Sequence, residues 1–511
     1  MQSFLIVLYL LTLAVLALYG VHRSALLWLY IRHRREQPAP KARYSEADLP
    51  RVTIQLPMFN EMYVVRRLID AVARIDYPSD RLEIQVLDDS TDATSAIARR
   101  RCAALRDEGL DIRYLHRKER TGYKAGALEE GLVRAKGDFV LVFDADFVPE
   151  PGIVRELIHF FTDPAVGMVQ ARWSHLNPDQ SLLTRCQAMF LDGHFVIEHA
   201  ARNRSGRFFN FNGTAGMWRK ATIVDAGGWQ HDTITEDMDL SYRAQLAGWK
   251  FVYAPQVNVP AELPYDMSSF KGQQYRWAKG SAQTARKLLG TIMRAPVPAK
   301  VKAEAYFHLT NNLVYVFLLL LAALQLPNML IRRQMDNPEL LMLDVPLFLA
   351  TCGSVATFYV IAQRDLYGGW TTAVRRLPGM MALGIGLAVN NGRAVLVGLL
   401  GGDVEFVRTP KRGDVEEAAG SQGARYQGTW SWHNTIELGF ALYCSITLVV
   451  AVVTRSWASI PFVLLFCVGF LYVGGMSLYE GLRIRQPQGE SERTEQAPST
   501  HSSPRPQSML S

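Results

Sequence analysis

Nearly chargeless apolar runs at both ends of the chain confine what it can fold into. Residues 4–21 carry no charge and match the ~20 residues that cross a bilayer. Residues 309–330, 347–363, 436–453 and 460–478 are each long enough to span with some tilt. A further run, 378–400, is interrupted by Asn390-Asn391-Gly392-Arg393, which predicts an interfacial or re-entrant segment. Five spans are therefore expected. His22, Arg23, Arg32, His33, Arg34 and Arg35 follow the first run, and no small-residue cleavage site does. That order predicts a retained anchor with its basic flank in the cytoplasm. With 378–400 not crossing, the basic stretch 364–425, including Arg408, Lys411 and Arg412, and the tail from Arg483 also fall inside.

The expected organisation is a membrane anchor and flank (1–40), a cytoplasmic domain (41–294), a transmembrane and interfacial helical domain (295–485), and a tail (486–511). The tail is rich in Gln, Pro, Ser and Glu, so it lacks the apolar content to fold. The five cysteines are scattered with no CxxC pair, so nothing in their spacing suggests a zinc site or a disulfide framework. The net charge of +7 is spread over loops beside the membrane, where anionic lipid is the ordinary partner. No basic-aromatic interleaving points to nucleic acid.

Inside 41–294, strand and helix signals alternate. Residues 52–56 read as a strand stopped by Pro57, 62–75 as a helix, 82–87 as a strand and 93–105 as a helix. The same pattern continues with 112–115, 124–135 and 139–143. Such alternation predicts an α/β fold, a mostly parallel sheet with helices on both faces. Ligands then bind beyond the carboxyl ends of the strands. Acidic pairs stand at two of those ends: Asp88-Asp89 and Asp144-Ala145-Asp146. No GxGxxG and no Walker-A sequence is present.

Each constellation has a structural and a functional reading. Asp88-Asp89 either receives a nucleobase or ribose, or forms an Asx-turn before the helix near Ala93. Asp144 and Asp146 either share a hard cation with a diphosphate or are solvated loop acids. Thr233 and Glu236 fit a capping box, which would leave Asp237 of Thr235-Glu236-Asp237 in the first helical turn, where the dipole favours its ionised form. Gln273, Arg276 and Trp277 share a helical face, either as a packed Trp with a snorkelling Arg or as a phosphate and sugar platform. Asn212, Gly213 and Thr214 belong either to a simple turn or to a loop lining a sugar channel.

Together the order D, D-x-D, T-E-D, Q-x-x-R-W resembles the processive, membrane-embedded family 2 glycosyltransferases. LPMFNE, QVLDDSTD, FNGTAGMWR and QQYRW are closer in wording to the plant cellulose-synthase-like A and C groups than to cellulose synthase. Cellulose synthases usually carry His after D-x-D and Cys in the gating loop; this chain has Phe147 and Asn212. The resemblance implies a GT-A type domain and polymerisation of a β-linked, β-1,4 in the first instance, glucan, mannan or glucomannan from UDP-glucose or GDP-mannose. It implies Phe59, Asn60, Glu61 and Asp89 (or Asp88) at the nucleoside, and Asp144 and Asp146 on Mg²⁺ or Mn²⁺ with Lys124 at the diphosphate. It further implies Asp237, flanked by Glu236 and Thr235, as general base. Gln273, Arg276, Trp277 and the Asn212–Thr214 loop would lie at the growing polysaccharide. The product would leave through the membrane. Short loops favour a bacterial inner membrane, with the Golgi as the eukaryotic equivalent. The alternatives are a non-processive family 2 enzyme moving one sugar to a lipid, and a transporter with a regulatory insert. The QQYRW run counts against the first, and largely clean spans count against the second.

Overall fold

The computed structural model describes residues 1–335, 339–401 and 432–485. The tail 486–511, and with it Arg408, Lys411 and Arg412, lies outside the described residues. Seven strands build one sheet: β1 (Val52–Met58), β2 (Leu82–Asp88), β3 (Ile112–His116), β4 (Phe139–Val142), β5 (Val166–His175), β6 (Gly216–Arg219) and β7 (Lys250–Ala261). Their order is β3-β2-β1-β4-β6-β5-β7. β3, β2, β1 and β4 run parallel, and β5 runs parallel to β7. Only β6 is antiparallel to its neighbours β4 and β5. The expected mostly parallel sheet is therefore present, with β6 as the exception.

Successive residues of β4 point to opposite faces, as the strand pleat requires. Leu141 joins a core with Leu68, Ile69, Ala98 and Leu157, while Val140 and Val142 join one with Leu128, Leu132 and Trp218. Helices cover both faces, which is why β1 and β4 are buried along their whole length. The second core also contains Leu26, Leu27 and Tyr30 of the Gln2–Arg32 helix and Phe358 of the Ser354–Tyr367 helix. One continuous core thus joins the sheet to the apolar helices.

Pro57 does not stop β1, which continues to Met58. The ladder to β4 has ended at Gln55, so by Pro57 only β2 is paired and the missing N–H costs nothing on the other side.

Among the described residues five helices are long and apolar enough to cross a membrane: Gln2–Arg32, Ala299–Met335, Asp344–Tyr367, Trp432–Val453 and Trp457–Leu482. They expose apolar side chains such as Val7, Leu11, Leu442 and Val449, a surface suited to lipid rather than water. Thr371–Gly386 and Ala388–Leu400 pass the same test only as a pair, bent by 44°. The bend falls at Leu387, not at Asn390–Arg393 as the composition suggested. Asn390 stays helical and donates from Nδ2 to the Lys271 carbonyl at 2.9 Å, so its polarity joins helices instead of breaking one.

Candidate active site

The parallel strands β1, β2 and β4 deliver their carboxyl ends to one edge of the sheet, and a cavity of about 220 Å³ opens there. Phe59, Glu61, Asp89, Lys124, Asp144 and Asp146 line it. So do Asn212, Gly213, Thr235, Glu236, Asp237, Gln273, Arg276 and Trp277. Segments up to about 200 positions apart in the chain therefore meet in one place, as strand-end logic requires.

Three expected residues stand behind the wall instead. Asp88 is fully buried; its carboxylate accepts from Ser90 N (3.0 Å), Ser95 Oγ (2.6 Å) and Tyr114 OH (2.6 Å). It is the Asx-turn residue of the pair, and its full set of donors holds it below the usual carboxylate range despite burial. Asn60 braces two loops: its N–H donates to Ser90 Oγ and its Oδ1 accepts from Thr91 N. Thr214 is buried and accepts from Asp144 N at 2.9 Å, which fixes the turn carrying the D-x-D acids.

Asp89 is held differently. Arg117 grips it with two hydrogen bonds, Nε to Oδ1 at 2.7 Å and Nη2 to Oδ2 at 2.5 Å. Carboxylate oxygens accept more than one bond, so this fixes the group without exhausting it. Arg120 lies 3.5 Å over the Phe59 ring and also lines the cavity. Neither arginine was singled out from the sequence, and nor were Trp173, His175 and Glu262, which line the same cavity. The basic stretch that follows β3 was the available signal for the arginines.

The catalytic-type acids surround Lys124. Its Nζ donates to Asp144 Oδ1 at 2.5 Å and to the Gly213 carbonyl at 2.9 Å. Burial alone would lower its pKa, but the charges of Asp144, Glu236 and Asp237 outweigh that and raise it. The acids feel the converse. Burial, with a lesser contribution from the charge of Asp144, pushes Asp237 up to about 6. Burial and the charge of Asp237 push Glu236 up to about 7. Negative groups thus exceed positive ones around Lys124, an imbalance a divalent cation would relieve. Among the described residues no group of three or more His, Cys, Asp or Glu could hold a metal. The donor set fits an ion held by two carboxylates with substrate phosphates and water completing it.

Asp237 does sit in the first turn of a helix, Glu236–Leu246, but the capping box is not formed. Thr235 is the N-cap and makes no side-chain capping bond, while Thr233 Oγ1 is buried without a partner among the described residues. The turn is held from the neighbouring helix instead: Ile234 N donates to Gln283 Oε1 at 2.9 Å, and Thr235 Oγ1 meets Thr284 Oγ1 at 3.2 Å. At Asp237 burial outweighs the opposing pull of Lys124 and of the backbone N–H groups at the helix start.

Gln273, Arg276 and Trp277 lie on the Met267–Arg294 helix, one turn apart as their spacing predicts. Asp266 caps its start by accepting from Ser269 N. Glu480, from the last apolar helix, accepts from Met267 N at 2.8 Å and Ser268 N at 3.0 Å. Lys271 pairs with the buried Glu437 at 2.6 Å. The helix that carries the Q-x-x-R-W residues is therefore bolted to two membrane-type helices.

Residues 50–280 match the family described as glycosyltransferase like family 2. Over 412 residues the chain is 36% identical to glucomannan 4-beta-mannosyltransferase 1 of Oryza sativa subsp. japonica, covering 77% of this chain and 76% of that one. Over 253 residues it is 47% identical to glucomannan 4-beta-mannosyltransferase 2 of Arabidopsis thaliana, covering 48% of this chain and 47% of that relative, about half its length. Among solved structures, a mannosyltransferase from Pyrobaculum calidifontis in complex with GDP-Man and Mn²⁺ aligns with 69% of this chain and 99% of that one. That alignment has 22% identity and a TM-score of 0.48, too slight a likeness to carry an argument about chemistry. With the ordered motifs gathered around one cavity and a relative matched over most of both chains, this chain belongs to glycosyltransferase family 2, in its cellulose-synthase-like group.

Proposed function

We propose that the protein is a membrane-embedded, inverting, processive glycosyltransferase that builds a β-1,4-linked mannan or glucomannan from a nucleotide sugar. The glucomannan mannosyltransferases among its relatives support the sugar class. The observation that carries the reading is the position of Asp237, half-buried in the wall of the cavity that also receives Lys124, Asp144, Arg276 and Trp277. A base, a diphosphate platform and an acceptor platform converge there.

Asp237 takes the proton from the 4-hydroxyl of the acceptor sugar. That oxygen attacks the anomeric carbon of an α-linked donor, and the nucleoside diphosphate leaves on the opposite side, giving the β bond. An indole face such as that of Trp277 stacks well on a sugar ring and orients the acceptor. Phe59, Arg120 and Asp89 surround the nucleoside. Lys124 and Arg276 stabilise the charge that grows on the leaving diphosphate. Asp144 and Asp146 would hold Mg²⁺ or Mn²⁺, which supplies further charge neutralisation to the leaving group.

The catalytic domain faces the cytoplasm, where nucleotide sugars are made, with the basic flank of the first helix on the same side. A second cavity of about 880 Å³ lies among the apolar helices, lined by Tyr9, Arg23, Tyr315, Tyr359 and Trp457 among others. Phe190 lines this cavity and its neighbour Leu191 lines the active-site cavity, so the two cavities flank one helix and the exported chain would pass from one to the other.

Incorporation of labelled sugar into ethanol-insoluble product by purified protein in lipid tests this reading. UDP-glucose, GDP-glucose and GDP-mannose are supplied in parallel, and the product is digested with endo-mannanase and endo-glucanase. Mannanase-sensitive polymer is expected. A single-sugar product in the lipid extract would overturn the processive reading.

A further inference from the structure

The helical stretch Leu182–Arg204 contains a π-helical turn, Gly193–His199, which the mechanism above does not use. In an α-helix, residues five apart point roughly 140° away from each other. The wider π turn brings positions i and i+5 onto one face. His194 and His199 consequently lie side by side, ring centroids 4.3 Å apart and planes tilted by 58°, and both reach Asn212 in the cavity wall.

Their bonds fix the Asn212 amide. His199 Nε2 meets Asn212 Oδ1 at 2.5 Å, and Asn212 Nδ2 meets His194 Nε2 at 3.0 Å. His199 Nδ1 is buried with no partner among the described residues, so the proton belongs on Nε2, which donates to Oδ1. Burial, with the charge of Arg202, holds His199 well below the usual histidine range and so neutral. Asn212 then donates to His194 Nε2, and His194 Nδ1–H donates to Glu198 Oε2 at 3.1 Å. Arg202 bridges Glu198 (3.1 Å) and Glu304 (2.9 Å), and Glu304 meets His22 of the first apolar helix at 3.1 Å. The Asn212 backbone is held as well, its N–H donating to the buried Gln170 Oε1 at 3.0 Å.

Held this way, the amide keeps one N–H and one carbonyl lone pair for a ligand. The next residue, Gly213, is so close to the base that an added β-carbon would stand 3.2 Å from Asp237 Oδ2. We propose that the Gly193–His199 π turn is a positioning device for sugar selection: His194 and His199 aim the Asn212 amide at a hydroxyl of the hexose beside Asp237. The chain through Glu198, Arg202 and Glu304 anchors the device to the first membrane helix. The inference rests on the glycosyltransferase reading and assigns the positioning role to residues outside the cavity's reacting groups.

GDP-mannose and GDP-glucose differ only in the C2 hydroxyl, so their ratio of kcat/KM isolates sugar selection from nucleotide recognition. This ratio is measured for the parent protein in lipid and for His199→Gln, His199→Leu and Asn212→Ala, alongside thermal melting. A lost hydrogen bond predicts that His199→Leu and Asn212→Ala shift the ratio by about fivefold or more. His199→Gln, which keeps an N–H donor, should hold the parental ratio. If His199→Leu does not fold, Asn212→Ala decides alone. Equal loss of both donors, or an unchanged ratio in a folded variant, overturns the inference while leaving the functional reading intact. A parent that uses neither donor overturns both.

Discussion

Gly280 and Thr235 are in contact so close that a β-carbon on the glycine would stand 2.4 Å from Thr235 Cγ2. Gly280 lies one turn beyond Trp277 on the Met267–Arg294 helix, and Thr235 opens the helix that carries Asp237. The helix that carries Trp277 and the helix that carries Asp237 are thus set against each other directly, with only the Thr235 side chain between them.

Gly280→Ala should therefore push the two helices apart. Overpacking of this kind costs about 1–3 kcal/mol. Because the displaced turn carries the base, kcat should fall more than the binding of donor. Melting temperature and steady-state kinetics on one preparation check both parts; unchanged kcat would mean the contact is merely steric filler.

In the proposed mechanism Asp237→Asn removes the base and keeps its shape. Loss of a general base costs ~10²–10⁴ in rate. Nucleotide-sugar binding, followed by calorimetry, should survive. Equal loss of binding and turnover would reassign Asp237 to a structural role.

The same substitution should raise stability, and the sign follows from the shift. Burial raises the pKa of Asp237 to about 6, so the ionised form is disfavoured in the folded state. The penalty is fully present above that value and disappears below the ordinary carboxylate value of about 4. Asp237→Asn should melt higher than the parent at pH 8 and no higher near pH 4. Thermal scans at the two pH values measure this.

Activity carries the mirror image of that shift. A base works only when unprotonated, so polymer formation should be full at mildly alkaline pH and fall as pH drops through about 6. Lys124 favours the ionised form of Asp237, so Lys124→Ala should move the acid limb of its residual activity to higher pH. A pH–rate profile of the two proteins tests the direction.

The Lys271–Glu437 pair makes a purely structural prediction. Glu437 is buried and the Lys271 ammonium is nearly so, so Glu437→Ala leaves an unpaired charge. Breaking such a pair costs about 3–5 kcal/mol, whereas replacing both partners by apolar residues is close to neutral. Lys271→Met with Glu437→Leu should recover most of the melting temperature lost in Glu437→Ala alone.

Much of this site is legible in the sequence because its signals are local. A strand's alternation, the acids that end it, and a Q-x-x-R-W face one helical turn long each depend on neighbours within a few positions. That is why Asp89, Asp144, Asp237 and Trp277 could be named before any fold was known. The apolar runs likewise announced five helices long and apolar enough to span, since bilayer thickness imposes a length any window can measure. What local pattern could not decide was which of two adjacent acids faces the cavity. Asp88 and Asp89 differ by one residue, and only the arrival of Tyr114 and Arg117 from β3 and the loop after it assigns one to the wall and the other to the opening.

The order of motifs, the sheet class and the helices suited to a membrane can all be read along the chain, because periodicity and composition act over short stretches. Tertiary structure alone decided the ionisation of Asp237, the π turn that brings His194 and His199 together, and the contact of Gly280 with Thr235. Those depend on burial and on approaches between residues distant in the chain, and such approaches exist only once the chain is folded.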